Sequence, residues 1–337
     1  MNSPSRDENP RPEDPYPGLP QGGETPRKSS ADLRTHAALL LVQMAFASQP
    51  VEAKVAMRAV ADGGEGVPPE SIAMVRMLGA AAFFHVFGLV SRRGRAEAPL
   101  TRRDHAELAV LSLFGIVMNI ALYLVGLRTT AAVPAALLSV TIPVTTAALA
   151  IVFRKEAPNV RSLLGLAVAV AGVLWLTGVR GVDRGVFILV GNSLFYATYV
   201  VFSRDVIRRL GSVRVVTWLF TWGALAFAPV GLPSVVRNAP SWSSRAWGLV
   251  AFIVVVPTIV AYLAHAWALA RSTPSVVTVY VCIQPILTAL LAWVQFGDGL
   301  SLRMVEAGAL ILVGVAVVAT RPATAPAKPL PEAPTRA

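Results

Sequence analysis

Eleven chemically capable side chains stand inside stretches that are otherwise apolar: Glu52, Lys54, Arg76, Asn119, Tyr123, Asn192, Tyr196, Tyr199, Trp222, His265 and Gln284. In a bilayer such groups are costly, about 2.5–3.5 kcal/mol for a central Arg, Lys or Asp on insertion scales. They are therefore expected to face a bundle interior or a wet cavity and to mark a solute or ion pathway. Glu52 and Lys54 are two residues apart, so on a helix they point away from each other. One of them could serve as a substrate or proton ligand near an outer gate; otherwise Lys54 snorkels and Glu52 meets water. Arg76 could pair with Glu52, hold a carboxylate or phosphate by a bidentate fork, or anchor a helix end at the interface. His265 could titrate near neutral pH and couple proton flow to transport, or remain a neutral imidazole bonded to a neighbouring helix. Asn192, Tyr196 and Tyr199 are spaced four and three apart and share one helix face, which can line a pathway or bond to other helices. Trp222 shares a face with Trp218 and either walls a pocket or joins an interfacial belt. Asn119 is an amide at membrane depth, Tyr123 a phenol, and Gln284 stands beside Pro285. His85 reads as a packing histidine, and His36 and His105 sit at helix starts.

Several chemistries find no residues. No two histidines have metal-ligand spacing, and Cys282, the single cysteine, can form neither an internal disulfide nor a redox pair. A Gly-x-Ser-x-Gly elbow, a His-Glu-x-x-His pair and a Gly-rich phosphate loop are all missing, so no catalytic residue, metal or cofactor is expected and ATP-driven pumping is unsupported. The chain is 55% hydrophobic and 15% charged with a mean hydropathy of +0.60, against about 25% charged in ordinary soluble chains. The net charge of +11 does not point to nucleic acid, because the charges lie between apolar segments, where they orient a membrane protein.

Those segments must hold the candidate residues. A spanning helix needs about 20 mainly apolar residues. Ten segments qualify: 36–57, 70–91, 104–126, 132–153, 160–179, 184–203, 213–232, 245–269, 274–296 and 304–320. The first is interrupted by Gln43, Gln49, Pro50, Glu52 and Lys54, which leaves open a count of nine with an interfacial first helix. Residues 1–35 and 321–337 carry twelve of the 25 prolines and read as disordered tails. No cleavable signal peptide opens the chain, so the first helix is expected to direct it to the membrane. With the N-terminus in the cytoplasm and ten crossings, 21 basic residues fall on the cytoplasmic side and seven opposite, as the positive-inside rule requires. Both termini are then cytoplasmic, in an inner or plasma membrane. The basic loops should meet anionic lipid headgroups.

Part of the chain is written twice. A shift of 142 carries Leu127 onto Leu269 and Pro143 onto Pro285. It also carries Thr146, Ala147, Leu149, Ala150 and Val152 onto identical residues without a gap, and Glu156 onto Asp298. The same shift takes Gly115 onto Pro257 and Tyr123 onto His265. Ten helices thus divide into 36–180 and 181–320. Five crossings being odd, the second half enters from the opposite side. Inverted repeats with matched helix interruptions (here Gly115, Pro143, Pro257 and Pro285) are the sequence signature of a transporter whose substrate sits between them.

The order of these features resembles the EamA-type transporters of the drug/metabolite transporter superfamily, over about residues 36–320. The resemblance rests on Gln49 to Lys54 late in helix one, Arg76 early in helix two, and Tyr199, Ser203 and Arg204 in helix six. It rests above all on the end of each half. There a mid-helix proline is followed 13 residues on by an acid expected to close the helix (Pro143/Glu156 and Pro285/Asp298), and then comes a Gly-bearing helix (Gly165, Gly172; Gly308, Gly314). The resemblance implies ten helices in two inverted halves and movement of small metabolites, often outward. The chain departs from it where the family usually has Trp-Gly-Ser-Asn: here stand Phe46, Ala47, Ser48 and Gln49, with Pro50 and Glu52 added, and Asp298 precedes Gly299.

The expected function is secondary transport by alternating access, with export of an amino acid, analogue or drug-like solute across the inner or plasma membrane, and protons as a coupling ion. The alternatives are a membrane-embedded enzyme and a non-transporting receptor or assembly protein. The expected partners are a small-molecule substrate and the lipid bilayer. Substrate identity and oligomeric state are not encoded in any motif.

Overall fold

The computed structural model describes residues 30–91, 99–129, 132–139, 141–157, 159–177, 184–296 and 302–319, and among them every regular element is a helix. That is what lipid demands of an apolar chain: each backbone N–H and C=O must find its partner within the segment. Among the described residues six helical runs are long and apolar enough to cross a membrane: Pro69–Val90, Arg102–Thr129, Phe187–Leu210, Ser212–Ser241, Ser244–Leu269 and Pro274–Gln295.

The first half comprises α1 (Ser30–Met57), α2 (Pro69–Ser91), α3 (Arg102–Ser112), α4 (Asn119–Thr129), α5 (Ala132–Leu138), α6 (Thr141–Val152) and α7 (Val160–Thr177). The second comprises α8 (Arg184–Leu210), α9 (Ser212–Asn238), α10 (Ser244–Val254), α11 (Ala261–Leu269), α12 (Pro274–Val279), α13 (Gln284–Phe296) and α14 (Leu302–Ala319). Between α3 and α4 the helix widens into a π turn, Leu113–Met118, and between α10 and α11 into another, Val255–Val260. The two turns are 142 residues apart at both ends, and so are α7 and α14. A 3₁₀ turn, Tyr280–Ile283, separates α12 from α13. Pro143 and Pro285 stand within the first turn of α6 and α13, where a proline displaces no helix bond.

Packing exchanges the halves. Helix α1 lies against α11 and α13, while α8 lies against α4 and α6. Helix α2 runs beside α9, and α7 beside α14. Each half thus lends its first helix to the other. Helix α1, despite Pro50, is continuous, and Leu39, Val42, Ala47 and Ala53 on it are fully buried. Its other face, with Leu40, Leu41 and Met44, is exposed, so the helix packs on the bundle along one side.

Three local expectations need correction. Helix α1 begins at Ser30, inside the stretch assigned to the N-terminal tail, where no proline stands between Pro26 and Pro50 to stop it. Helix α8 runs on to Leu210, seven residues past its apolar run. Its Arg209 forms ion pairs with Asp104 and, at 2.6 Å, with Glu107 on α3, and Asp104 is itself in a capping box with Thr101. Glu156 does not close its own helix, which ends at Val152. Its Oε1 accepts from the Ser275 backbone N–H at 2.9 Å and so caps the opening turn of α12 in the other half. Asp298 and the remainder of both tails lie outside the described residues.

Candidate functional site

The site grows out of the two π turns. Such a turn holds one residue more than an α turn and disturbs the carbonyls on its N-terminal side. Pro257 has no N–H, so the Ile253 carbonyl lacks its α-helical donor. The Thr258 hydroxyl donates to that carbonyl at 2.7 Å and accepts from Arg76 Nε at 2.8 Å. In the other half the Gly115 carbonyl accepts from Asn119 Nδ2 and from the Tyr262 hydroxyl, each at 3.3 Å. Both irregular turns are thus closed by polar side chains, and those side chains converge.

Gly115 has a steric reason to be glycine. A Cβ there would come within 3.0 Å of Tyr199 Cβ and closer still to its ring carbons Cγ and Cδ2. Tyr199 is fully buried and its ring stacks on His265, with centroids 6.4 Å apart.

Between the halves lies a half-open cavity bordered by residues of both. Arg76, Asn119, Tyr123, Asn192, Tyr196 and Gln284, all singled out from the sequence, border it. Asn192 Nδ2 donates to the Asn119 carbonyl at 2.6 Å and to its Oδ1 at 2.8 Å, and Asn119 Nδ2 donates to the Tyr262 hydroxyl at 3.0 Å. Gln284 Nε2 donates to Gln43 Oε1 at 2.7 Å, joining α13 to α1. Tyr196 borders the cavity and bonds His265 Nε2 through its hydroxyl at 3.0 Å. His265 therefore stands one layer behind the wall.

Arg76 is the only charged group among the described residues lining the cavity. Its side chain is 1% exposed. Nη2 donates to Gln49 Oε1 at 3.2 Å, Nε is held by Thr258, and Nη1 has no protein acceptor. The expected alternative of a pair with Glu52 is not what the geometry gives: both bonds go to neutral oxygens. Burying an ion without a counter-charge costs on the order of several kcal/mol, so the arrangement needs a compensating role.

Five of the candidates lie elsewhere. Lys54 Nζ donates to the carbonyls of Leu127 at 2.8 Å and Arg128 at 3.2 Å, satisfying the C-terminal end of α4. Glu52 is half-buried and does not border the cavity. Tyr199 and His265 form the second layer. Trp222 packs with His105 and Trp218 at ring separations of 5.9 and 6.3 Å, away from the cavity. Pro143, Pro257 and Pro285 are buried.

Phe46, Gln49, Ser139 and Tyr262 also border the cavity. Gln49 carries a signal in sequence, being an amide inside an apolar segment, but there it reads as an interruption of the first helix. Tyr262 is a phenol at membrane depth like Tyr196; the 142 shift pairs it with Ile120, so the repeat gave it no polar counterpart. Ser139 maps onto Val281, and both border the cavity at the breaks before α6 and α13.

Comparison with known proteins agrees with this architecture. The model of the EamA-like transporter family matches residues 34–178 and again residues 183–320. The uncharacterised transporter YdfC of Bacillus subtilis is 24% identical over 257 residues, covering 75% of this chain and 82% of that protein. A WAT1-related protein of Arabidopsis thaliana is 23% identical over 329 residues, covering 85% and 84%. An uncharacterised transporter of Archaeoglobus fulgidus is 22% identical, covering 84% and 96%. One crystal structure shares the fold with a TM-score of 0.67 at 20% identity, over 87% of this chain and 99% of that one.

Proposed function

The chain belongs to the EamA-like transporter family, and we propose that it exports a small organic metabolite across the inner or plasma membrane by alternating access. The family is one of transporters rather than enzymes, and the protein is integral to the membrane. In this reading all ten helical segments cross the bilayer, residues 36–180 and 181–320 are inverted halves, and both termini are cytoplasmic. The excess of basic residues in the corresponding loops supports that orientation. Outward movement follows the habit of the family that the chain resembles.

One observation carries the reading above the others: a cavity bordered by both halves, at the level where each half has its π turn and its proline break. Substrate sites of inverted-repeat transporters form at such matched interruptions, where rocking of one half against the other opens the site to alternate sides. A proton would be the coupling ion in this scheme, and the Tyr196–His265 pair behind the wall is the place from which it would act.

The test is flux. The full chain is reconstituted in vesicles with an imposed pH gradient and offered a panel of labelled metabolites. Saturable movement of at least one solute, dissipated by collapsing the gradient, is the expected result. If none moves under any gradient, the transporter reading fails.

A further inference from the structure

We propose that the solute carried is a monocarboxylate with an apolar or aromatic body, bound through its carboxylate to Arg76. The proposal rests on the transport reading and names its substrate class. Three features of the cavity lead to it.

Charge comes first. Arg76 is the single formal charge on the described lining, and among the described residues no carboxylate pairs with it. Its ionisable neighbours are the phenols of Tyr123 and Tyr262. A bound group with one negative charge makes the cavity neutral. A phosphate dianion would leave a charge over, and a cation would add to the one present.

Orientation comes second. Thr258 and Gln49 hold Nε and Nη2, so the guanidinium is fixed, while the buried Nη1 retains its donors. A planar cation with free donors fits a planar carboxylate, whose two oxygens can each accept from it.

The third feature is the remaining wall. Phe46, Tyr196 and Tyr262 bring aromatic rings, and Ile120, Ile142 and Val281 bring aliphatic side chains. The amide N–H groups of Asn119, Asn192 and Gln284 are engaged with Tyr262, Asn119 and Gln43. Among the described lining residues no carboxylate is present to receive an ammonium, so an amino group is not required of the solute.

The experiment compares each carboxylate with its own amide. The purified full chain in lipid nanodiscs is titrated with benzoate, phenylacetate and hexanoate, with benzamide, phenylacetamide and hexanamide, and with benzylamine and phenyl phosphate. Binding is read from intrinsic tryptophan fluorescence. At least one carboxylate should bind roughly tenfold or more tighter than its amide, the scale of one charge-assisted bond made in a buried site. Arg76→Gln should abolish that preference, and Arg76→Lys should retain part of it. Gln49→Ala removes a partner that holds the guanidinium without removing the charge, so its carboxylate preference should shrink but persist even if the Arg76 variants do not fold.

Equal binding of amide and acid, tighter binding of phenyl phosphate or benzylamine, or no binding of any carboxylate overturns the proposal. So does an undiminished preference in Arg76→Gln. The two readings fail separately. Vesicles that move a neutral or cationic solute but no carboxylate sink this proposal and leave transport standing. A carboxylate bound through Arg76, with no solute moved, sinks transport and leaves the site.

Discussion

Replacing Gly115 by alanine adds one methyl group and tests how the first π turn is built. The new Cβ would stand within 3.0 Å of Tyr199 Cβ and nearer to the ring, which has no room to retreat. Tyr199 is fully buried and backed by His265, which is in turn held by Tyr196 at 3.0 Å. Overpacking of this kind costs about 1–3 kcal/mol, and the rigid backing puts this case toward the upper end. Alanine returns up to about 1 kcal/mol of helix propensity over glycine. The net expectation is a loss of about 1–2 kcal/mol. With Tyr199→Ala in the same chain the clash disappears and the propensity gain remains, so the second Gly115→Ala step becomes neutral or slightly stabilising. The coupling between the two positions should then be about 2–3 kcal/mol, within the range for residues in contact. Gly248 on α10, with nothing within 4 Å of its would-be Cβ, is the control and should tolerate alanine. Unfolding of the four members of the cycle by denaturing detergent, followed by tryptophan fluorescence, measures all these terms. A Gly115→Ala variant as stable as Gly248→Ala refutes the steric account, and so does an equal loss with and without the Tyr199 ring.

Tyr196→Phe leaves the buried His265 Nε2 without its partner. The expected cost is about 1–3 kcal/mol, read in the same titration, while substrate affinity changes less because the ring that borders the cavity remains. Lys54→Met should destabilise by about 1 kcal/mol through the two carbonyls it leaves bare at the end of α4. Glu52→Gln, by contrast, should preserve both flux and its pH dependence in vesicles; loss of pH-driven flux in that variant would make Glu52 the proton carrier.

What the sequence disclosed followed from how locally each feature is written. Apolar runs announce helices in lipid because the backbone has no alternative there, and Pro143 with Pro285 announced the repeat because a proline survives divergence as a backbone constraint. The π turns have no such signature. Gly115 and Pro257 marked their positions, but the extra residue shows only in the hydrogen bonding. Spacing placed Asn192, Tyr196 and Tyr199 on one face, and the first two do border the cavity. Tyr199 turns behind it because Gly115, remote in sequence, leaves a slot for its ring. Lys54 is legible as a cation in an apolar segment but not as a cap, since its acceptors belong to a helix more than seventy residues away. Gln49 shows the opposite difficulty: polarity in a helix reads as a flaw until Arg76 is seen to need an acceptor.

The matched π turns also point to a shared origin. A π turn is an α-helix with one residue inserted, and Leu113–Met118 and Val255–Val260 hold that residue at the same place in each half. Two independent insertions landing in one register is a far longer coincidence than one insertion copied. One insertion copied with the rest of a half accounts for both turns more simply, and the family model matching the chain twice fits a duplicated unit. Removing one residue from a single turn would undo that history in one half alone, rotating Asn119 and Tyr123 by about 100° about their helix axis while leaving their counterparts in place.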